Sequence, residues 1–359
     1  MLLFLGAGAS KAFGIPDTLG FMTEFENIIG NEDIYKKLKE SIPSDKLDME
    51  VLMTILDDLS KPPDELKESM APHTSNFILG LGAQSSYFME NKKVQATCSN
   101  MLTKIKTLIK EKCLTETYEH KEDIVETYDR FFGELKLKHT EALSGVSPMR
   151  YPSKLKIFTT NYDTCIEAYL HAKQLHVSDG TTTRYGELLL DVHQLVAKTT
   201  NWELVKLHGS INLFEEGRRI RVVHTPGAVD STTRTDLGNL CGNEFIVYPV
   251  ESSTPSKTSQ SPLLEFLQVF RNRLETERPW VVIGSTFRDF TIASIMNDVL
   301  MQKRERDYPF VLHINPKATE VNSDLSKRGY GLLASVMQTL DAPFCGEDVV
   351  SGLGINLEP

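Results

Sequence analysis

Long apolar runs are missing from this 359-residue sequence. No stretch reaches the ~18 residues a membrane-spanning helix needs, so no segment is expected to cross a bilayer. Met1–Leu5 has the look of a short signal core, but no basic region precedes it and a Gly-rich turn follows, so it reads as a buried strand. Cysteine is scarce. Cys98, Cys113, Cys165, Cys241 and Cys345 make an odd count, and none stands in a C-x-x-C pair. That excludes a four-cysteine zinc ribbon, argues against a disulfide framework, and leaves no metal site to expect. Such usage fits a reducing cytoplasm. Positive charge is short as well: 39 Lys and Arg face 49 Asp and Glu, a net charge of −10. Non-specific attraction to nucleic acid or to an anionic membrane is therefore disfavoured.

What remains is an ordinary globular composition, 40% apolar and 25% charged. The length suits two domains, or one α/β domain with a large insertion. Apolar runs that read as strands occur at Leu2–Leu5, Lys156–Thr160, Glu203–Leu207, Glu244–Tyr248, Pro279–Ile283 and Pro309–Ile314. Helical patterns at Cys165–Gln174, Leu263–Glu275 and Phe290–Lys303 lie between several of them. Strand–helix alternation predicts an α/β, Rossmann-like fold with a six-stranded parallel sheet. Between about Leu19 and Gly145 the pattern is amphipathic and helical, notably at Met49–Leu59, Met101–Ile109 and Glu122–Leu137. This predicts a mostly helical insertion over 21–149 within a core of 1–20 and 150–330. Lys61–Ser86 reads as partly irregular. A tail, 331–359, packs on the core or forms an interface. Thr225–Thr235 and Ser252–Ser261 read as mobile surface loops.

Five segments carry chemistry. Gly6-Ala7-Gly8-Ala9-Ser10, with Gly14-Ile15-Pro16-Asp17 after it, follows the first strand, where paired glycines let backbone approach a pyrophosphate at a helix start. Lys11 breaks the G-x-G-x-x-G spacing, so the dinucleotide fingerprint fails, and a tight turn without ligand is the competing reading. Thr159-Thr160-Asn161-Tyr162-Asp163 places polar groups at a strand's carboxyl end, where open parallel sheets bind ligands; Asn161 or Asp163 also fits a helix cap. His208, in Leu207-His208-Gly209-Ser210, has the side chain suited to proton transfer near neutral pH, and equally fits a hydrogen-bonded loop residue. Gly284-Ser285-Thr286 with Asp289, and Asn315, close the last two strands. Asp289 reads as the cap of the helix it precedes. Cys165, beside the second segment, reads as helix packing rather than a nucleophile.

In this order, GAGAS with GIPD, TTNYD, LHGS, GST and IN resemble the sirtuin family, and more closely the sirtuin-like domains of bacterial antiphage systems. The likeness spans roughly 1–20, 154–215 and 244–320. It departs from deacylases where Leu19 replaces an Arg, where Thr160 replaces a Gln, and in having no zinc cysteines after His208. The resemblance implies NAD as substrate, with no metal, and hydrolysis at the nicotinamide–ribose bond. Asn161 and His208 are then catalytic. Gly6, Ala7, Gly8 and Ser10 cradle the pyrophosphate, Asp17 and Thr160 belong to the cofactor-binding set, Asp163 orders the loop or nicotinamide pocket, and Gly284, Thr286 and Asn315 border the adenosine half. It further implies a toxic NAD-depleting effector in antiphage defence, controlled by self-assembly into a homo-oligomer or by a separately encoded partner, either a DNA-translocase-type ATPase or an Argonaute-like protein. An NAD-dependent deacylase and a silent NAD- or ADP-ribose-binding subunit are the alternatives.

Overall fold

Leu2–Leu5 forms a fully buried strand, β1. The computed structural model describes residues 1–43, 47–141, 154–184, 186–197, 202–216, 219–223, 244–248 and 262–344. The strands after β1 are β2 (Leu155–Thr159), β3 (Thr181–Arg184), β4 (Glu187–Leu190), β5 (Trp202–Lys206), β6 (Gly209–Glu216), β7 (Arg219–Val222), β8 (Glu244–Ile246), β9 (Trp280–Ile283), β10 (Val311–Asn315) and β11 (Met337–Asp341). Six of them form a sheet in the order β11-β10-β9-β1-β2-β5, and every neighbouring pair is parallel. β1, β2, β9 and β10 are buried along their whole length, as a sheet covered on both faces requires. The order reverses at β1: the chain builds outward through β2 to β5, then returns to the other flank of β1 with β9. In open α/β sheets that reversal marks the crevice where ligands sit, outside the strands' carboxyl ends.

The parallel sheet itself is as the sequence predicts; its membership is not. Glu244–Tyr248 supplies β8, which pairs antiparallel with β6 in a second sheet of order β3-β4-β7-β6-β8. The sixth parallel strand is β11, from the segment read as a tail. Met337–Asp341 has no apolar run, and only Met337 is buried. Its place comes from pairing with β10, from Val311↔Met337 through Asn315↔Asp341.

Two compact units divide the chain: Met1–Ile15, Leu114–Ile246 and Ser261–Pro359 form one, Pro16–Cys113 and Val247–Gln260 the other. In the sheet unit, helix Lys121–Glu141, which the sequence placed in the insertion, packs on helix Cys165–Ala172 through aromatic rings. Tyr128 lies 5.1 Å from Tyr169, 5.8 Å from Phe13 and 5.3 Å from Phe344, centroid to centroid. The second unit is helical. Its Lys61–Ser86 region is more regular than its sequence suggests: Pro63–Ser69 and Pro72–Gly80 each open with a proline at the first turn, where the missing N–H costs no bond. Buried Asp58 ties that stretch down, accepting from Ala71 N at 2.9 Å and Thr74 Oγ1 at 2.7 Å. The segments Thr225–Thr235 and Ser252–Ser261, with Cys241 and Cys345, lie outside the described residues. Among the described residues, no helix is long and apolar enough to cross a membrane.

Candidate functional site

The first turn packs directly on the turn after β9. Gly6 N–H donates to Ile283 O at 2.8 Å and Gly8 N–H to Gly284 O at 2.9 Å. A Cβ on Gly6 would lie 2.7 Å from Ser285 Cα, and one on Gly8 would lie 2.8 Å from Gly284 Cα. Gly284 itself has φ +65°, and its Cβ would fall 2.2 Å from Ala9 N. These three glycines therefore let two backbone turns touch at the point where the sheet order reverses. The N–H groups of Gly6, Gly8 and Ala9 all have acceptors within the chain. Ala7 and Ser10 complete the short helical turn Ala7–Ser10.

Asn161 leans onto this turn from the end of β2. Its Nδ2 donates to Gly6 O at 2.9 Å and to Ser10 Oγ at 3.0 Å. A carbonyl cannot donate, so the amide orientation is fixed by chemistry: both N–H bonds point into the turn and Oδ1 is left as an acceptor. The backbone below is pinned too. Thr159 Oγ1 donates to Leu5 O at 2.9 Å and accepts from Asn161 N at 3.0 Å, while Thr160 N donates to Leu5 O at 3.3 Å. Asp163 is buried and accepts from Cys165 N at 3.0 Å, the helix-start role that was its competing reading. Lys206 Nζ donates to the Asp163 carbonyl and pairs with Glu167 at 3.1 Å.

His208 sits in the turn between β5 and β6. Leu207 N donates to Thr159 O at 2.8 Å, which fastens that turn beside the one carrying Asn161. Gly209, at φ +75°, lets the chain turn back under Phe245 O, where a Cβ would lie at 1.9 Å. The His208 ring, 17% exposed, places Nε2 2.7 Å from Asp289 Oδ2. Asp289 caps helix Phe290–Met301 with its other oxygen, accepting from Thr291 N at 2.8 Å and Ile292 N at 3.2 Å. Burial pushes this carboxyl upward, but the His208 bond and charge and the two backbone N–H groups outweigh it, holding Asp289 below the usual carboxylate range.

On the far flank, Asn315 Nδ2 donates to Ser285 O at 3.2 Å and its Oδ1 accepts from Lys317 N at 2.9 Å. Thr286 is exposed. The carbonyl of Phe287 accepts from Arg328 Nη1 at 2.8 Å. Asp17 falls in the helical unit, where its Oδ1 caps helix Thr18–Ile29 by accepting from Gly20 N at 2.9 Å.

The structure thus joins Gly6, Gly8, Ser10, Asn161 and Gly284 through direct contacts at the carboxyl ends of β1, β2 and β9. His208 enters from the end of β5, next to β2. Sequence reasoning reaches Asp289 as a helix cap but misses the partner of its second oxygen, His208. Among the described residues, no three His, Cys, Asp or Glu side chains gather as a metal site.

The family described as SIR2-like domain matches residues 155–332, from the first residue of β2 into helix Gly331–Val336, the second helix after β10. Residues 155–332 therefore carry a sirtuin-like domain. A solved structure from work on the mechanism and regulation of Sir2 enzymes is similar over 99% of this chain and 91% of its own, with 11% identity and a TM-score of 0.37. No curated protein matches the sequence.

Proposed function

We propose that this chain is an NAD glycohydrolase, which cleaves the bond between nicotinamide and ribose to give nicotinamide and ADP-ribose. The observation that carries the reading is the convergence of Asn161, whose amide oxygen is turned away from the Gly6–Ser10 turn as an acceptor, and His208 on neighbouring turns at the carboxyl edge of the sheet, where its strand order reverses. In the reaction the C1′–N bond breaks and its electron pair goes to the pyridinium nitrogen. A water oxygen then bonds to C1′, through an oxocarbenium-like state as in other glycoside cleavages. Asn161 Oδ1 is suited to orient the water or a ribose hydroxyl. His208 is suited to take the proton the water loses. The turn Gly6–Ser10 lies where the pyrophosphate is to be held, with the Ser10 hydroxyl at its end. Gly284, Thr286 and Asn315 flank the adenosine side. Asp163 supports the loop from beneath.

In the cell, this activity would deplete NAD and serve as a toxic effector of antiphage defence, kept silent until assembly. Its regulators would be further copies of this chain, or a separately encoded DNA-translocase-type ATPase or Argonaute-like protein. The test is to incubate the purified chain with NAD, alone and with candidate partners, and to follow nicotinamide and ADP-ribose. Both products should appear, and both should be lost in Asn161→Ala and His208→Ala. Stoichiometric acetyl-ADP-ribose formed with an acetylated peptide would replace the reading with deacylation. Binding without turnover in every assembly would make the chain a nucleotide-binding subunit.

A further inference from the structure

Asp289 has two carboxylate oxygens with separate duties. Oδ1 accepts the two backbone N–H groups at the start of helix Phe290–Met301. Capping needs no more than that, and a serine or asparagine would supply it. Oδ2 is surplus to the cap, and it lies 2.7 Å from His208 Nε2. The contact is not local. Asp289 follows β9 and His208 follows β5, three places apart in the sheet, or roughly 14 Å at the usual strand spacing. Two chain segments must therefore lean over the ends of β1 and β2 to meet.

We propose that Asp289 is the positioning residue for His208: its helix-anchored carboxylate holds the imidazole over the crevice with Nε2 protonated and Nδ1 presenting its lone pair. This rests on the reading of His208 as the proton acceptor in NAD hydrolysis. Because Oδ1 is fixed by backbone donors that cannot rotate away, the direction of Oδ2 is fixed with it. An ionised carboxylate only accepts, so the hydrogen of this bond belongs to Nε2. In the neutral ring the other nitrogen is then the base, and it receives the substrate-side proton while Asp289 stabilises the imidazolium that forms. Asp289 touches no reacting atom and acts through His208.

The test is Asp289→Asn. The asparagine oxygen still caps the helix, but its NH2 now faces His208 Nε2. Nε2 must then accept, the proton moves to Nδ1, and the ring has no lone pair left for the substrate. The expected result is a fall in kcat on the order of 10⁴-fold, by analogy with the loss a wrong histidine tautomer causes in a serine-protease triad. KM should stay within about threefold. In 15N-histidine NMR, with the His208 signals identified by their loss in His208→Gln, the ring should switch from Nε2–H to Nδ1–H. Asp289→Ser, which caps with its hydroxyl and has no second oxygen, should show the same fall in kcat and answers the question if the asparagine variant does not fold. Wild-type kcat in these variants, or an unchanged Nε2–H tautomer in Asp289→Asn, would overturn the proposal. If the wild-type chain releases no nicotinamide in any assembly, the glycohydrolase reading fails; the tautomer measurement then still decides the pairing.

Discussion

His313 shows what one buried titratable side chain does to this fold. It lies wholly buried in β10, with Nε2 2.9 Å from Ser285 O. Its Nδ1 has no hydrogen-bond partner among the described residues. Burial pushes its pKa down to about 4 from an ordinary 6.5, only partly countered by the Ser285 carbonyl and the charge of Asp341. The folded chain thus keeps the ring neutral where the unfolded chain takes up a proton. Stability is complete above about pH 6.5 and is lost as the pH falls toward 4, by roughly 3 kcal/mol for a shift of this size. Urea denaturation of wild type and His313→Leu between pH 7 and pH 4.5 checks this. The stability difference between them should move in the variant's favour by most of that amount, and a constant difference would contradict it. The same side chain shows the limits of sequence reading. PFVLHI is legible as a strand, but nothing in it says that its histidine braces the Ser285 carbonyl, 28 residues earlier. The His208–Asp289 pair spans 81 residues and is illegible for the same reason. The Gly6–Ser10 turn is legible at once because its glycines are close together in the sequence, although the contacts they permit, with Gly284 and Asn161, are not.

At the scale of elements, β2 and β5 are joined by more than backbone. Lys156 and Glu203 stand opposite each other in the parallel register, both wholly buried. Lys156 Nζ donates to Glu203 Oε1 at 2.9 Å, and Arg273, from helix Leu263–Thr276, donates through Nε to Oε2 at 2.7 Å. Charged residues inside apolar runs weaken a strand assignment when each run is read alone; here each charge is satisfied by the other strand's. Glu203→Gln removes the carboxylate that Lys156 and Arg273 share. The loss expected is about 3–5 kcal/mol of stability, the usual cost of breaking a buried pair from one side. Thermal or denaturant unfolding measures it, and a loss below about 1 kcal/mol would mean that solvent reaches the triad. Elements with strong apolar runs, β1, β2, β9 and β10, were legible because burial on both faces writes a continuous signal. β11 was not, because an edge strand needs little apolar surface. The five-stranded antiparallel sheet was not, because Thr181–Arg184 and Arg219–Val222 are short and largely polar. Glu244–Ile246 read as a parallel strand because an apolar run carries no record of its neighbours.

For the whole molecule, the polarity of the parallel sheet makes a prediction that no single residue does. All six strands point the same way, so their carboxyl ends lie along one edge and their amino ends along the other. Asn161, His208, Asp289 and the glycine turns all lie on the carboxyl side. A nucleotide held there should protect backbone amides on that edge while leaving the amino edge as it was. His208→Ala, which under the proposed reaction binds NAD without consuming it, suits the measurement by hydrogen exchange. With NAD at about a hundredfold its Kd, linkage supplies roughly 2.7 kcal/mol, or about a hundredfold slower exchange for amides that open only when the bound site opens. Slowing is expected over residues 6–10, 159–163, 207–210 and 284–289. At the amino edge, around Lys154, Ser178 and Glu277, exchange through local fraying should be unchanged, because such openings leave the ligand in place. Slowing confined to the amino edge would put the ligand on the wrong side of the sheet. Equal rates with and without NAD at the carboxyl edge would remove the nucleotide from this crevice altogether, and with it the reason for Asn161 and His208 to meet there.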